Sequence, residues 1–127
     1  ENLAPIGFIL MPLALLSPAK TLNEDETPGV AMTEPPFAEE RGELLEVCKA
    51  LDKAQLKGLM SLSEPLAGLN YRRFQHFEEA PSAPAAWAFD GPAHKALDIR
   101  SLAPDAQSYA QESVVTLSGL YGCLRPR

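Results

Sequence analysis

The sequence predicts an α+β domain of short strands and helices, and three observations carry that expectation. Two short apolar runs, Leu13 to Leu16 and the β-branched Val114-Val115-Thr116, stand near opposite ends of the chain. Between them Leu44, Leu45, Val47, Cys48 and Leu51 recur at helical spacing, opposite Glu43, Glu46 and Lys49. A further stretch, residues 53–77, reads as helix, tight hairpin, helix. No internal repeat interrupts this order.

Composition narrows the function classes. At 127 residues, 46% apolar and 22% charged, the chain suffices for one modest globular domain. A net charge of −6 excludes a surface that is basic throughout, so any contact with nucleic acid has to be local. Cys48 and Cys123 form no C-x-x-C pair, and with only His76 and His94 beside them no zinc spacing results. Both thiols are read as reduced and the compartment as cytoplasmic. Leu3 to Leu16 is apolar but too short for a bilayer, holds Pro5 and Pro12 and lacks a basic flank, so no membrane partner is expected. The chain begins at Glu1, Met11 reads as a native start, and residues 1–10 read as an upstream extension.

The elements follow in order. Leu13 to Leu16 is expected as a buried strand, and Ser17-Pro18-Ala19-Lys20-Thr21 as the loop leaving it. Residues 23–40 hold Glu24, Asp25, Glu26 and several prolines with few apolar residues, which predicts a long acidic loop. A helix begins near Glu39, with Cys48 in the core. Asp52 and Gln55 then form a capping box that opens a second helix through Leu56, Leu59 and Met60. Ser63 is suited to cap a third helix, where Pro65 is tolerated in the first turn. After a Pro/Ala-rich connection, Trp87-Ala88-Phe89 reads as a short buried strand ending at Asp90-Gly91-Pro92. His94 reads as a surface or hydrogen-bonded residue rather than a ligand. Pro104 to Glu112 is expected as a helix feeding the Val114 strand.

Two places carry the chemistry of anion binding. In residues 114–126 the strand enters a loop with Gly119 and Gly122, followed by Arg125. Glycine admits positive φ, so main-chain N–H groups can turn toward an anion, and an arginine adds a bidentate charge. Such glycines also mark ordinary turns. If both terminal strands lie in one parallel sheet, Ser17, Lys20 and Thr21 meet Ser118 and Gly119 at one sheet edge, and Lys20 and Arg125 face one pocket. The second place is the hairpin: Ser61-Leu62-Ser63 joins two helices, and Ala67 stands where the helices would cross closely. Amide groups at the second helix's N-terminus suit a phosphate, with the serine hydroxyls assisting. Lys53, Lys57, Arg72 and Arg73 against Asp52 and Glu64 give residues 51–77 a net charge of +2. A solvated helix face accounts for two charges equally well.

Ser17-Pro18-Ala19-Lys20-Thr21-Leu22, Leu59-Met60 through Leu66-Ala67-Gly68-Leu69-Asn70 with Arg73-Phe74, Ala88-Phe89 with Gly91, and Leu117-Ser118-Gly119-Leu120-Tyr121-Gly122 with Leu124-Arg125-Pro126 together resemble the YaaA peroxide-stress protein family. The motifs fall in the family's order from about Met11 onward. The resemblance implies a cytoplasmic, non-enzymatic protein that limits peroxide damage to DNA and proteins and is associated with lowering free intracellular iron. It also implies DNA binding through a helix-hairpin-helix, with Lys20, Ser61, Ser63, Arg72, Arg73 and Arg125 on phosphates. No catalytic residue and no cofactor come with it. Family members continue beyond the Leu-Arg-Pro segment, so residues 11–127 are read as the N-terminal portion of a larger single-domain fold whose C-terminal half would supply much of the basic surface. DNA binding by this portion alone is expected to be weak.

Two other readings stay open. An enzyme or small-molecule binder would hold a phosphate or nucleotide at the Ser17 and Ser118 loops. The acidic loop would hold a hard cation loosely through carboxylate oxygens.

Overall fold

A computed structural model describes residues 11–25, 27 and 29–127 of the chain. The expectation for residues 1–10 lies outside them. The described residues form an α+β fold: strand β1 (Ala14–Leu16), helices α1 (Ala38–Ala50), α2 (Lys53–Met60), α3 (Glu64–Gln75), α4 (Ala85–Ala88), α5 (Pro92–Leu97) and α6 (Pro104–Ser113), then strands β2 (Val114–Ser118) and β3 (Gly122–Leu124). The sheet has the order β1-β2-β3. β1 runs parallel to β2, with Ala14 beside Val114 and Leu16 beside Thr116. β3 returns antiparallel, with Thr116 beside Leu124 and Ser118 beside Gly122.

Local chemistry explains the helix boundaries. The Asp52 carboxylate accepts the Gln55 N–H at 2.8 Å while the Gln55 side chain accepts the Asp52 N–H at 2.9 Å, so the capping box forms as the sequence predicts. Pro65, Pro92 and Pro104 each sit in the first turn of their helices, where a missing N–H costs nothing. At α1 the opening is less comfortable: Phe37 caps it with φ 62°, a left-handed conformation that is rare for a bulky residue. Its ring packs on Gly122, itself at φ 74°, where an added Cβ would approach Phe37 Cδ2 to 2.9 Å.

The main core is built on the face of the sheet that carries Val114. Ala86, Trp87, Ile99 and Ala110 are buried together, and Val30, Leu97, Leu102 and Val114 pack around them. Trp87 is the largest of these and is 6% exposed. A second cluster joins α1, α2 and α3 through Leu45, Leu56 and Ala67, all buried. The C-terminal residues close the core, as the Ala86 N–H donates to the Pro126 carbonyl at 3.0 Å.

Three expectations change. Leu13 to Leu16 was predicted as a buried strand; it forms a strand, but at the sheet edge, and Leu15 is 59% exposed. The apolar run signalled a strand with partners on both faces, and the described residues cover only one face. Trp87-Ala88-Phe89 was predicted as a strand, yet residues 85–88 make one helical turn. Alanine-rich sequence after Pro84 favours that turn, and only Phe89 keeps a strand-like bridge, to Leu22. Cys48, expected in the core, is half-buried, and burial pushes its thiol above the usual range. The helix before β2 forms as expected, through Ser113.

Candidate nucleic-acid interface

The hairpin between α2 and α3 is tight because its first residue turns left-handed. Ser61 adopts φ 53° and ψ 49°, and its N–H and that of Leu62 both return to the Lys57 carbonyl. A serine tolerates this region at a cost of about 1–2 kcal/mol, so the geometry that glycine usually supplies is reached without it. Ser63 then takes an extended backbone as the cap of α3, but its hydroxyl makes no capping bond. Pro65 has no N–H, and that of Ala67 goes to the Ser63 carbonyl at 2.9 Å. The amides of Glu64 and Leu66 remain at the helix end for solvent or an anion. Ala67 is 1% exposed, placed at the α2–α3 crossing as its small size predicts.

The charges around this hairpin are partly compensated. Lys57 donates to Glu64, and that ammonium holds the Glu64 carboxyl below the usual carboxylate range. A carboxylate therefore already sits at the positive end of α3. Arg73 donates to Glu24 of the acidic loop at 2.9 Å. Lys53 lies over the Tyr71 ring, 5.6 Å from its centroid. Arg72 is exposed and has no acidic partner among the described residues. Of the four hairpin cations, Arg72 and Lys53 thus present charge that no carboxylate neutralises. Sequence spacing hints at Lys57–Glu64 across the short turn, but nothing local signals Glu24 as the partner of Arg73.

The strand-end loops are arranged differently from one another. Parallel pairing of β1 and β2 brings Ser17-Thr21 and Ser118-Gly119 to the same end of the sheet. Ser17, Lys20 and Thr21 are exposed, while residues 21–23 are bound to the segment before α5 through Asp90 N–H to Thr21 O and Asn23 N–H to Ala88 O. Ala19 presses so closely on Gly91 that a Cβ there would stand 2.7 Å from the Ala19 Cβ. The loop from Ser118 to Gly122 is a hairpin turn. The Tyr121 N–H donates to the Ser118 hydroxyl at 3.2 Å, and the Tyr121 ring packs beneath Arg41, 5.2 Å from its centroid, and beside Phe77. Burial pushes the Tyr121 phenol up.

Lys20 and Arg125 do not face one pocket. β3 runs antiparallel to β2, so Arg125 comes back to the start of β2 and donates to the Glu112 carbonyl at the end of α6 at 2.8 Å. No residue near Gly122 signals that this second glycine begins a return strand. The carboxylates of the acidic loop form no metal-binding group among the described residues.

His94, expected at the surface or in a hydrogen bond, is buried, and its Nε2 lies 2.9 Å from Thr116 Oγ1. Its ring sits 5.0 Å from that of Phe89, and its Nδ1 is buried without a partner among the described residues. Burial lowers its pKa, which keeps the ring neutral. Beside it a cavity of about 200 Å³ is lined by Asn23, Trp87, Phe89, Asp90, Lys95 and Arg100, among others. No helix of the described residues is long and apolar enough to cross a membrane.

Comparison with known proteins follows the same stretch of chain. A sequence model described as peroxide stress protein YaaA matches residues 12–127. A UPF0246 protein of Paracidovorax citrulli is 45% identical over 120 residues, covering 90% of this chain and 46% of the relative. UPF0246 proteins of Idiomarina loihiensis and Burkholderia mallei are 44% and 43% identical, each again with 90% of this chain and 46% of the relative covered. The chain spans about half the length of the curated relatives it matches.

Proposed function

Because the chain belongs to the peroxide stress protein YaaA family, we propose that it limits hydrogen-peroxide damage by binding DNA phosphates along the α2–α3 hairpin, with a lowering of free intracellular iron as the accompanying effect. The observation that carries the DNA reading is the hairpin itself. A left-handed Ser61 and a deeply buried Ala67 bring α2 and α3 together, leaving the Glu64 and Leu66 amides beside Ser63 at the start of α3 and the exposed Arg72 in its last turn. Backbone amides at a helix end and an arginine recognise phosphate without reading sequence. Lys20 is a further phosphate contact in this proposal, and Arg125 would serve only after releasing the Glu112 carbonyl.

Fluorescence anisotropy against labelled duplex and branched DNA across a salt series tests it. Binding should fall steeply with salt. Replacing Arg72 and Arg73 with alanine should weaken binding alike on all sequences and lower the salt slope by about 2. Unchanged binding in that double variant would remove the hairpin from the mechanism.

A second reading rests on the parallel register of β1 and β2, which sets the Ser17 and Ser118 loops side by side. There an enzyme or binder of a small anionic ligand would hold a phosphate or nucleotide through Ser17, Thr21, Ser118 and Gly119. A dose-dependent rise in melting temperature with inorganic phosphate or a nucleotide, unaffected by the Arg72 and Arg73 substitutions, would favour it over the first.

A further inference from the structure

Among the described residues β1 is open along one edge and only partly covered on its faces. One edge pairs with β2, and the other has no strand beside it among the described residues. Side chains alternate across a strand, so Leu15 shares a face with Val115 and Leu117, opposite the face of Val114 and Thr116 that the core covers. On this second face Val115 is buried, but Leu15 is 59% and Leu117 44% exposed, with Leu13 also exposed beside them. On the first face, between β1 and the helices, lies a groove of about 360 Å³ lined almost wholly by apolar atoms, from Pro12, Ala14, Leu97, Leu102, Ala106 and Tyr109 among others. Among the described residues no charged side chain borders it.

An unpaired edge of this kind is a template for another strand, and proteins ordinarily blunt such edges with charge or proline. β1 has neither within its three residues, Ala14-Leu15-Leu16. Parallel strands are stable when both faces are covered. Edge, groove and leucine face therefore call for one polypeptide that pairs with β1 and clasps it from both sides. The relatives supply the length for it, since this chain spans 46% of each while matching them over 90% of itself.

We propose that the open side of β1 is the seat of a further β-strand and its apolar flanks, contributed by the part of the family sequence that this chain does not span. That strand extends the sheet beyond β1, and its neighbours cover Leu15 and Leu117 on one face and fill the groove at Ala14 and Tyr109 on the other.

The test is co-expression of this chain with the portion of the Paracidovorax citrulli relative that lies outside the aligned 120 residues, followed by size exclusion with light scattering and titration of the purified pieces. A 1:1 complex is expected, and Leu15→Glu with Leu117→Glu should weaken it at least tenfold. Because both leucines are already exposed, circular dichroism of the doubly substituted chain should match the unsubstituted one. Lys53→Glu, on the hairpin, should leave association unchanged. No complex, a complex indifferent to the leucine substitutions, or pairing of this chain with a second copy through the same leucines would overturn the proposal.

Discussion

Glu24 and Arg73 are joined by a hydrogen-bonded ion pair of 2.9 Å that ties the acidic loop to the last turn of α3. The loop thus places a carboxylate on one of the cations proposed to meet phosphate. Exposed pairs of this kind contribute about 0–1 kcal/mol, so Glu24→Gln should leave the melting temperature nearly unchanged. The same change should tighten DNA binding by up to about fivefold, as an affinity gain of about 1 kcal/mol corresponds to that factor. Weaker binding would mean that Arg73 needs Glu24 to hold it in place.

Stability should fall in mild acid because of His94. Its pKa lies below the ordinary value of 6.5 through burial, so the unfolded chain takes up a proton that the folded chain refuses. The sign follows: this group's contribution is complete above about pH 6.5 and is lost as pH falls through its lower folded value. Urea midpoints measured from pH 7.5 to pH 5 should decline, and His94→Gln should flatten the decline. Thr116→Val, which takes away the Nε2 partner, should cost about 1–3 kcal/mol. An unchanged midpoint in Thr116→Val would show the hydrogen bond to be dispensable.

The turn at Gly122 should tolerate no side chain. Alanine there meets both a positive φ of 74° and the Phe37 ring at 2.9 Å. Gly122→Ala is expected to destabilise by about 1–3 kcal/mol. Combining it with Phe37→Ala should recover the steric part but not the backbone part. Additive losses in that double-mutant cycle would mean that the ring and the turn do not press on each other.

Asp52→Ala should remove the capping box and cost about 1 kcal/mol. Gln55→Ala should cost less, since the Asp52 side chain still accepts the Gln55 N–H. Chemical unfolding of the three proteins under one set of conditions decides the order. Equal losses would show the two hydrogen bonds to be inseparable.

Much of the fold is legible because its signals are local. Asp52 with Gln55 announces α2, Pro104 announces α6, and the spacing of Leu45 and Cys48 announces α1. Ala67 is recognisable as a crossing residue since nothing larger fits between close helices. The features that escaped depend on distant partners. Leu15 looks interior because an apolar run does not say which of its faces will be covered. Trp87 looks extended because its bulk outweighs, to the eye, the helix preference of the alanines around it. Arg125 looks like part of an anion loop because the return of β3 depends on the Phe37 ring and on Ser118 holding the Tyr121 amide. At the hairpin, the residue types were readable but the carboxylates that pair with Lys57 and Arg73 were only partly so.

The pairing of Ala14 with Val114 also governs the order of assembly. The two strands are separated by all six described helices, whereas β2 and β3 are joined by a three-residue turn. Closing the longer loop costs more chain entropy, and contacts so distant in sequence slow the approach to the native state. On these grounds the hairpin of β2 and β3 and the α2–α3 unit are expected to form before β1 docks on β2. During synthesis β1 leaves the ribosome before the other described elements yet waits for all six helices to follow before its neighbour β2 is made.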